Sequence, residues 1–389
     1  MKLHEFIARR LLLLIPVMAG VAVFTFAIAQ IIPADPAAAL CGDKCGIIVG
    51  YEDDGTPITA YESNRERLGL NDPVTTQFRI YITNLAEGDW GESTAYHRPV
   101  IDVIKDAAPI TLEMSFFALL IAYPLGIVLG ILSAVWQDKI FDHLSRFLAI
   151  AFVSLPIFWL AMMLQLFFAT GTEVGGICDP IFGTEGGCFP LYGRHDPSYS
   201  YPTSTDSASV FVSWYPHSGT GFHLIDSWFV SDKALEKLPE EYNSRSKLFS
   251  DTITHLFLPC LTLGIASSGS LLRYMRASLL EVMNEDYVRT ARAKGLGERR
   301  VIIIHACRNA LVPIITILGF SIGGAIGGAV LTETIFSFNG MGRVAIKAIQ
   351  YLDFAVIMGV TLITSMIFLT SNLIVDILYA VIDPRVRLE

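Results

Sequence analysis

Six runs of about 20 mostly apolar residues, nearly free of charge, leave this sequence few ways to fold. They are Leu11 to Ile32, Ile110 to Val135, Phe147 to Thr170, Leu256 to Leu272 with a flank from Thr252 to His255, Ala310 to Leu331, and Phe354 to Val381. Such a run matches the hydrocarbon core of a bilayer, ~30 Å thick, where a helix is one of the few structures that satisfies all its own backbone polar groups. Hydrophobic residues are 52% of the 389 and charged residues only 17%, which excludes an ordinary soluble domain. The expectation is an all-α integral membrane protein with six transmembrane helices in contact with membrane lipid.

Orientation follows from Lys and Arg rather than from net charge. With the N-terminus inside, residues 1–10, 136–147, 273–309 and 383–389 hold 15 Lys and Arg against 9 Asp and Glu. The opposite side, residues 31–107, 171–255 and 334–354, holds 13 against 25 over a far longer stretch. Both termini are therefore expected in the cytoplasm, with sizeable loops outside. The net charge of −9 averages two faces of opposite sign. Because the basic residues lie in short loops beside the membrane, a nucleic-acid partner is not expected.

Along the chain, residues 1–32 form a basic N-terminus and the first span. Ala27-Ile-Ala29 resembles a signal-peptidase site, but the apolar run is longer than a usual signal core, which favours an anchored helix. Residues 33–107 form a polar outer region in which Phe78, Ile82 and Leu85 recur at helical spacing, predicting one short helix near the membrane surface. Residues 108–170 carry spans two and three. Pro109 is expected at the start of the second, and Pro156 within Leu155-Pro-Ile-Phe-Trp159 is expected to kink the third. Residues 171–251 are a polar outer insertion, and residues 252–389 carry spans four to six with a charged loop at 278–312.

Cys41, Cys45, Cys178 and Cys188 fall on the outer side, where local pairings of Cys41 with Cys45 and Cys178 with Cys188 are candidate disulfides. A metal site using these with His195, His217 or His223 lacks a compact ligand pair, so no metal is expected. Glu113, Glu333 and Asp376 lie near span ends and are expected to serve structure. The fifth span holds Gly319, Gly323, Gly324, Gly327 and Gly328; spacing by four puts small residues on one stripe where another helix can approach. That stripe serves either packing within the subunit or a helix lining a transport pathway, and the second reading is preferred.

The charged loop is the anomaly in so apolar a chain. Ser278 to Lys294 is predicted as one helix, with Leu279, Met283, Tyr287 and Ala291 recurring every four residues and Gly295 ending it. Such a segment reads as an amphipathic docking element at the inner membrane surface.

The residues Asp286-Tyr-Val-Arg-Thr-Ala-Arg-Ala-Lys-Gly-Leu-Gly-Glu-Arg-Arg300, followed by His305-Ala-Cys-Arg-Asn-Ala-Leu-Val-Pro313, resemble the coupling loop of bacterial ABC importer membrane subunits, in the dipeptide/oligopeptide/nickel permease group. Supporting likeness runs through Leu68-Gly-Leu-Asn-Asp-Pro73, Gly88-Asp-Trp-Gly-Glu-Ser93, Leu155-Pro-Ile-Phe-Trp159 and Asp383-Pro-Arg385. Two departures stand out. The Glu-Ala-Ala of the broader motif is here Arg289-Thr290-Ala291, so no role of that glutamate carries over, and the 171–251 insertion is longer than usual for the group.

The resemblance implies a type I importer permease fold in the bacterial inner membrane. It assigns Asp286, Tyr287, Arg289, Thr290, Ala291, Arg292, Lys294, Gly295, Arg299 and Arg300 to docking on an ATPase. It further implies a second homologous permease, two ABC ATPase subunits and a periplasmic substrate-binding protein, with peptides as cargo and nickel chelates or oligosaccharides as alternatives. The chain has no Gly-Lys dipeptide and so no P-loop; ATP and Mg would be used by the partners, with no cofactor bound here. A secondary transporter would show internal repeats and broken charged helices at mid-membrane, and a membrane enzyme would need a motif such as His-Glu-x-x-His; neither is evident.

Overall fold

The computed structural model describes residues 3–31, 35–51, 56–169, 188–195, 220–229, 235, 238 and 242–382. Among the described residues, four continuous helices are long and apolar enough to cross a membrane: α1 (Leu3–Ile31), α5 (Val100–Val135), α9 (Arg245–Met283) and α15 (Phe354–Ile382). Two bent pairs bring the count to six if each is one span. They are α6 (Ile140–Ser154) with α7 (Ile157–Phe168), and α11 (Glu298–Ala310) with α12 (Val312–Gly328).

Between α1 and α5 the chain forms α2 (Pro36–Cys41), a hairpin of β1 (Ile48–Tyr51) and β2 (Pro57–Thr59), α3 (Ala60–Arg67) and α4 (Val74–Glu87). Thr59 and Glu62 form a capping box that starts α3. The helix predicted from Phe78, Ile82 and Leu85 is α4. It lies against the end of α1, with the Phe26 ring 5.2 Å from Phe78 and 5.7 Å from Tyr81.

Three expectations about span ends need correction. Pro109 does not open the second span: α5 begins at Val100 behind Pro99, and Pro109 sits inside the helix. The missing amide leaves the Lys105 carbonyl without its usual partner, and the ring is covered by the backbone of Gly221. The third span is not one kinked helix, because the axis turns by 106° at Leu155–Pro156. Leu155 is extended, as a residue before proline prefers, and α7 restarts behind Pro156. The fourth span, expected at Leu256 to Leu272, is the middle of a 39-residue helix; at 1.5 Å per residue that is ~58 Å, so α9 projects well beyond a bilayer core.

Helices α5 and α9 share the most extensive helix contact among the described residues. A Cβ at Gly126 would lie 2.6 Å from Leu271 Cβ, and one at Gly130 would lie 2.7 Å from Met275 Cβ and 2.9 Å from the Leu272 carbonyl oxygen. The helices meet backbone to backbone because these positions carry no side chain.

Two buried carboxylates at the opposite end are paired. Thr111 Oγ1 donates to Glu333 in α13 (Val330–Ile335) at 2.6 Å and accepts from the Met341 amide at 2.8 Å, fixing the start of α14 (Met341–Gln350). Glu333 is fully buried and also accepts from the Arg343 amide. Buried Asp353, just before α15, accepts from the Ser93 hydroxyl and the Ala95 amide, tying the Trp90 loop onto the bundle.

Candidate functional site

The segment predicted as one helix from Ser278 to Lys294 is two. Helix α9 ends at Met283, Asn284 and Glu285 turn the chain, and α10 (Asp286–Ala293) starts from an extended Glu285. Leu279 and Met283 therefore stay on α9, and Tyr287 faces outward with 39% exposure. The buried residues of α10 are Val288, at 0% exposure, and Ala291. They pack into a cluster with Met275 and Leu279 of α9 and Val301, Ala306 and Ile314 beyond the loop. Fully burying a valine contributes roughly 1.5–3 kcal/mol, enough to hold so short a helix on its seat. Ala291 lies on the expected apolar stripe; helical spacing from Asp286 puts Val288 beside it in place of Tyr287, whereas extending α9 through the turn shifts the register.

Gly295 ends α10 with φ of +78°, in the left-handed region. Its amide donates to the Arg292 carbonyl at 2.9 Å, and the Leu296 amide reaches the Ala291 carbonyl at 3.4 Å, the pair of bonds that defines a Schellman stop. Three further contacts stiffen the loop. Arg292 forms a forked pair with Glu298 at 2.7 Å, which raises its guanidinium above the ordinary range. Asn309 donates to the Tyr287 hydroxyl at 2.7 Å, and Ser278 to the Ala310 carbonyl at 3.0 Å. Asp286, Arg289, Thr290, Lys294, Arg299 and Arg300 remain exposed; the Arg289–Asp286 pair at 3.4 Å is open to solvent and contributes little. The arrangement is a short polar knob on an apolar seat, suited to insertion into a complementary groove.

Beyond Gly295, α11 contains a wide π-helical turn at Val301–Ala306, and the axis then bends by 47° into α12 at Leu311. On α12, Gly319 and Gly323 face α15. A Cβ at Gly319 would lie 3.0 Å from Val375 Cγ2, and one at Gly323 would overlap Phe368. Gly324 has nothing within 4 Å of such a Cβ, and Gly327 and Gly328 form the last turn of α12. The stripe is thus divided between an intrasubunit contact and an open side.

Cys41 and Cys45 are joined in a disulfide, with Cα atoms 4.8 Å apart. Cys188 is also disulfide-bonded, while Cys178 and His217 lie outside the described residues. His195 and His223 rings stand 5.6 Å apart, and no group of three potential metal ligands occurs among the described residues. Glu113, nearly buried, pairs with Arg194 and accepts from the Leu224 amide of α8 (His223–Phe229) at 2.9 Å, so it anchors parts of the long insertion to α5. Asp376 pairs with Arg10 at 3.2 Å, joining α15 to α1.

A family model described as "Binding-protein-dependent transport system inner membrane component" matches residues 126–388, and its N-terminal companion matches residues 3–115. The chain is 38% identical to the dipeptide transport system permease protein DppB of Alkalihalophilus pseudofirmus over 97% of this chain and 98% of that protein. It is 37% identical to the probable D,D-dipeptide transport system permease protein DdpB of Escherichia coli strain K12, over 96% and 94%. It is 32% identical to the glutathione transport system permease protein GsiC of an Escherichia coli O1:K1 strain, over 98% and 99%. Matches of this extent, on a helical bundle with a stiffened polar knob between its fourth and fifth spans, place the chain in the inner membrane component family of binding-protein-dependent ABC importers, in its dipeptide/oligopeptide permease group.

Proposed function

We propose that this chain is a translocation subunit of an ATP-driven peptide importer in the bacterial inner membrane. It would work with a second, similar permease, two cytoplasmic ATPases and a periplasmic binding protein. The observation that carries the reading is α10: a polar helix held on a buried apolar seat, with its other face open to a partner. Peptides are favoured as cargo because the relatives named above are permeases for dipeptides and for glutathione, itself a small peptide. The dense Lys and Arg of the loops around α10 agree with a cytoplasmic location for this end.

In this mechanism ATP binding closes the ATPase pair and displaces α10. Because the seat joins α10 to α9 and to the π-helical turn of α11, the displacement reaches two spans at once and alternates access to the pathway. ATP and Mg act in the ATPase subunits, and this chain supplies the lever. The test is uptake of a labelled dipeptide into proteoliposomes holding the complete transporter, with binding protein outside and ATP inside. ATP-dependent uptake is expected. Uptake driven by an ion gradient without ATP would show a secondary transporter instead.

A further inference from the structure

A second polar contact lies at the same end of the bundle as α10 and is absent from the loop motif. Asp142, in the first turn of α6, is fully buried. Its carboxylate receives a forked pair from Arg276 of α9, Nε at 2.7 Å and Nη2 at 2.8 Å. It also accepts from Ser133 Oγ in the last turn of α5 at 2.6 Å and from the Asp138 amide of the intervening turn at 3.0 Å. Arg146, one turn further along α6, approaches to 3.6 Å. One carboxylate thus binds α5, α6 and α9 together. The turn it holds includes Asp138 at φ of +59°, a strained backbone that the Asp142 bond retains.

The position of Arg276 gives the pair its direction. It lies seven residues before the end of α9, flanked by Met275 and Leu279, which with Leu271 are the α9 residues in the buried cluster that seats Val288 and Ala291 of α10. Force on α10 therefore enters α9 at the turns that hold Arg276. Seven residues earlier on α9, Gly269 meets α6, where its Cβ would lie 2.7 Å from the Ala149 carbonyl oxygen. Ala149 is itself seven residues after Asp142. Two attachment points ~10 Å apart on both helices fix direction as well as position. Close packing at Gly269 alone is a pivot, and the Asp142–Arg276 pair turns it into a rigid joint.

We propose that Asp142 and Arg276 are positioning residues that transmit the movement of α10 from α9 into α6 and, through the 106° bend at Pro156, into α7. This rests on the importer reading given above. The pair makes α6–α7 move as one body with α9, so that ATP hydrolysis is converted into reorientation of a broken span as well as a continuous one.

The experiment measures peptide uptake and ATP hydrolysis together in proteoliposomes of the complete transporter. Wild type is compared with Asp142→Asn, Arg276→Lys and the exchange Asp142→Arg with Arg276→Asp. Arg276→Lys retains the charge but loses the fork, so it stays informative if Asp142→Asn fails to assemble. Peptide delivered per ATP is expected to fall about tenfold in assembled single variants while hydrolysis stays within about twofold, with the exchange recovering most of the ratio. A wild-type ratio in an assembled single variant overturns the proposal. Uptake and hydrolysis falling together with the melting temperature show a merely structural clip, and also overturn it. Absence of ATP-dependent uptake by wild type overturns the importer reading and this proposal with it, whereas normal wild-type uptake with unaffected variants overturns the proposal alone.

Discussion

Replacing Gly130 by alanine adds one methyl group where α5 meets α9. The new Cβ would lie 2.7 Å from Met275 Cβ, 2.9 Å from the Leu272 carbonyl oxygen and 3.0 Å from Met275 Cγ. Unstrained carbon contacts begin near 3.5–4.0 Å, so the helices must part by about 1 Å along a seam where the nearest atoms belong to backbone and Cβ, which cannot swing aside. Overpacking of this kind costs roughly 1–3 kcal/mol. Gly324→Ala is the matched control. It lies inside α12, its Cβ meets nothing within 4 Å, and relief of glycine's helix penalty stabilises by about 0.5–1 kcal/mol. Gly130 lies inside α5 and gains the same helix preference, so the two chemically identical substitutions should differ by the overpacking cost alone, roughly 1–3 kcal/mol, about a five- to hundredfold change in the unfolding equilibrium. The assay is equilibrium unfolding of the purified full-length chain in mixed micelles, followed by tryptophan emission. Equal stability of the two variants would refute the close α5–α9 approach. A loss at Gly324 that appears only in the assembled transporter would place that glycine at a subunit interface.

At the end of α10, Gly295→Ala meets no steric obstacle but forces an L-residue into the left-handed region, a cost of about 1–2 kcal/mol, so ATPase co-purification should weaken without loss of the bundle; Gly295→Pro also removes the amide given to Arg292 and should abolish it. Arg292→Glu sets two carboxylates against each other and should reduce co-purification, with Glu298→Arg added to it restoring most of the loss. Thr111→Val strands Glu333 Oε1 and the Met341 amide and should destabilise the chain by roughly 1–3 kcal/mol, read in the same unfolding assay, while Thr111→Ser should not. Desolvation, reinforced by the neighbouring Arg194 charge, holds His223 well below the usual histidine range. Its unfolded form therefore binds a proton first, and the stability of α8 should be present at neutral pH and fall as pH drops below ~6.5. Hydrogen-exchange protection of the Leu224 amide measures this, and His223→Gln should flatten the dependence.

The two prolines of spans two and three show what local sequence does not decide. Pro109 and Pro156 lie in similar apolar surroundings, yet one is carried inside a 36-residue helix and the other marks a 106° break. A proline removes one hydrogen bond in either case; whether the helix continues depends on what packs around it, here the Gly221 backbone at Pro109. Glycine was misleading for the same reason. The stripe at Gly319, Gly323 and Gly327 stands out by its spacing, but Gly126 and Gly130, outside it, also admit a close helix approach because α9 is their neighbour.

What the sequence determined by itself is what depends on single segments. Apolar length and composition place the spans, since each must satisfy a bilayer along its own length, and the run from Asp286 to Arg300 carries its family likeness without any partner. Gly295 as a helix stop belongs there too, because backbone sterics at one residue decide it. Only the tertiary structure decided that α10 sits on Val288 and Ala291, and that Asp142 meets Arg276 across 134 residues of chain. Pairings between distant segments depend on how helices pack, and no local spacing records them.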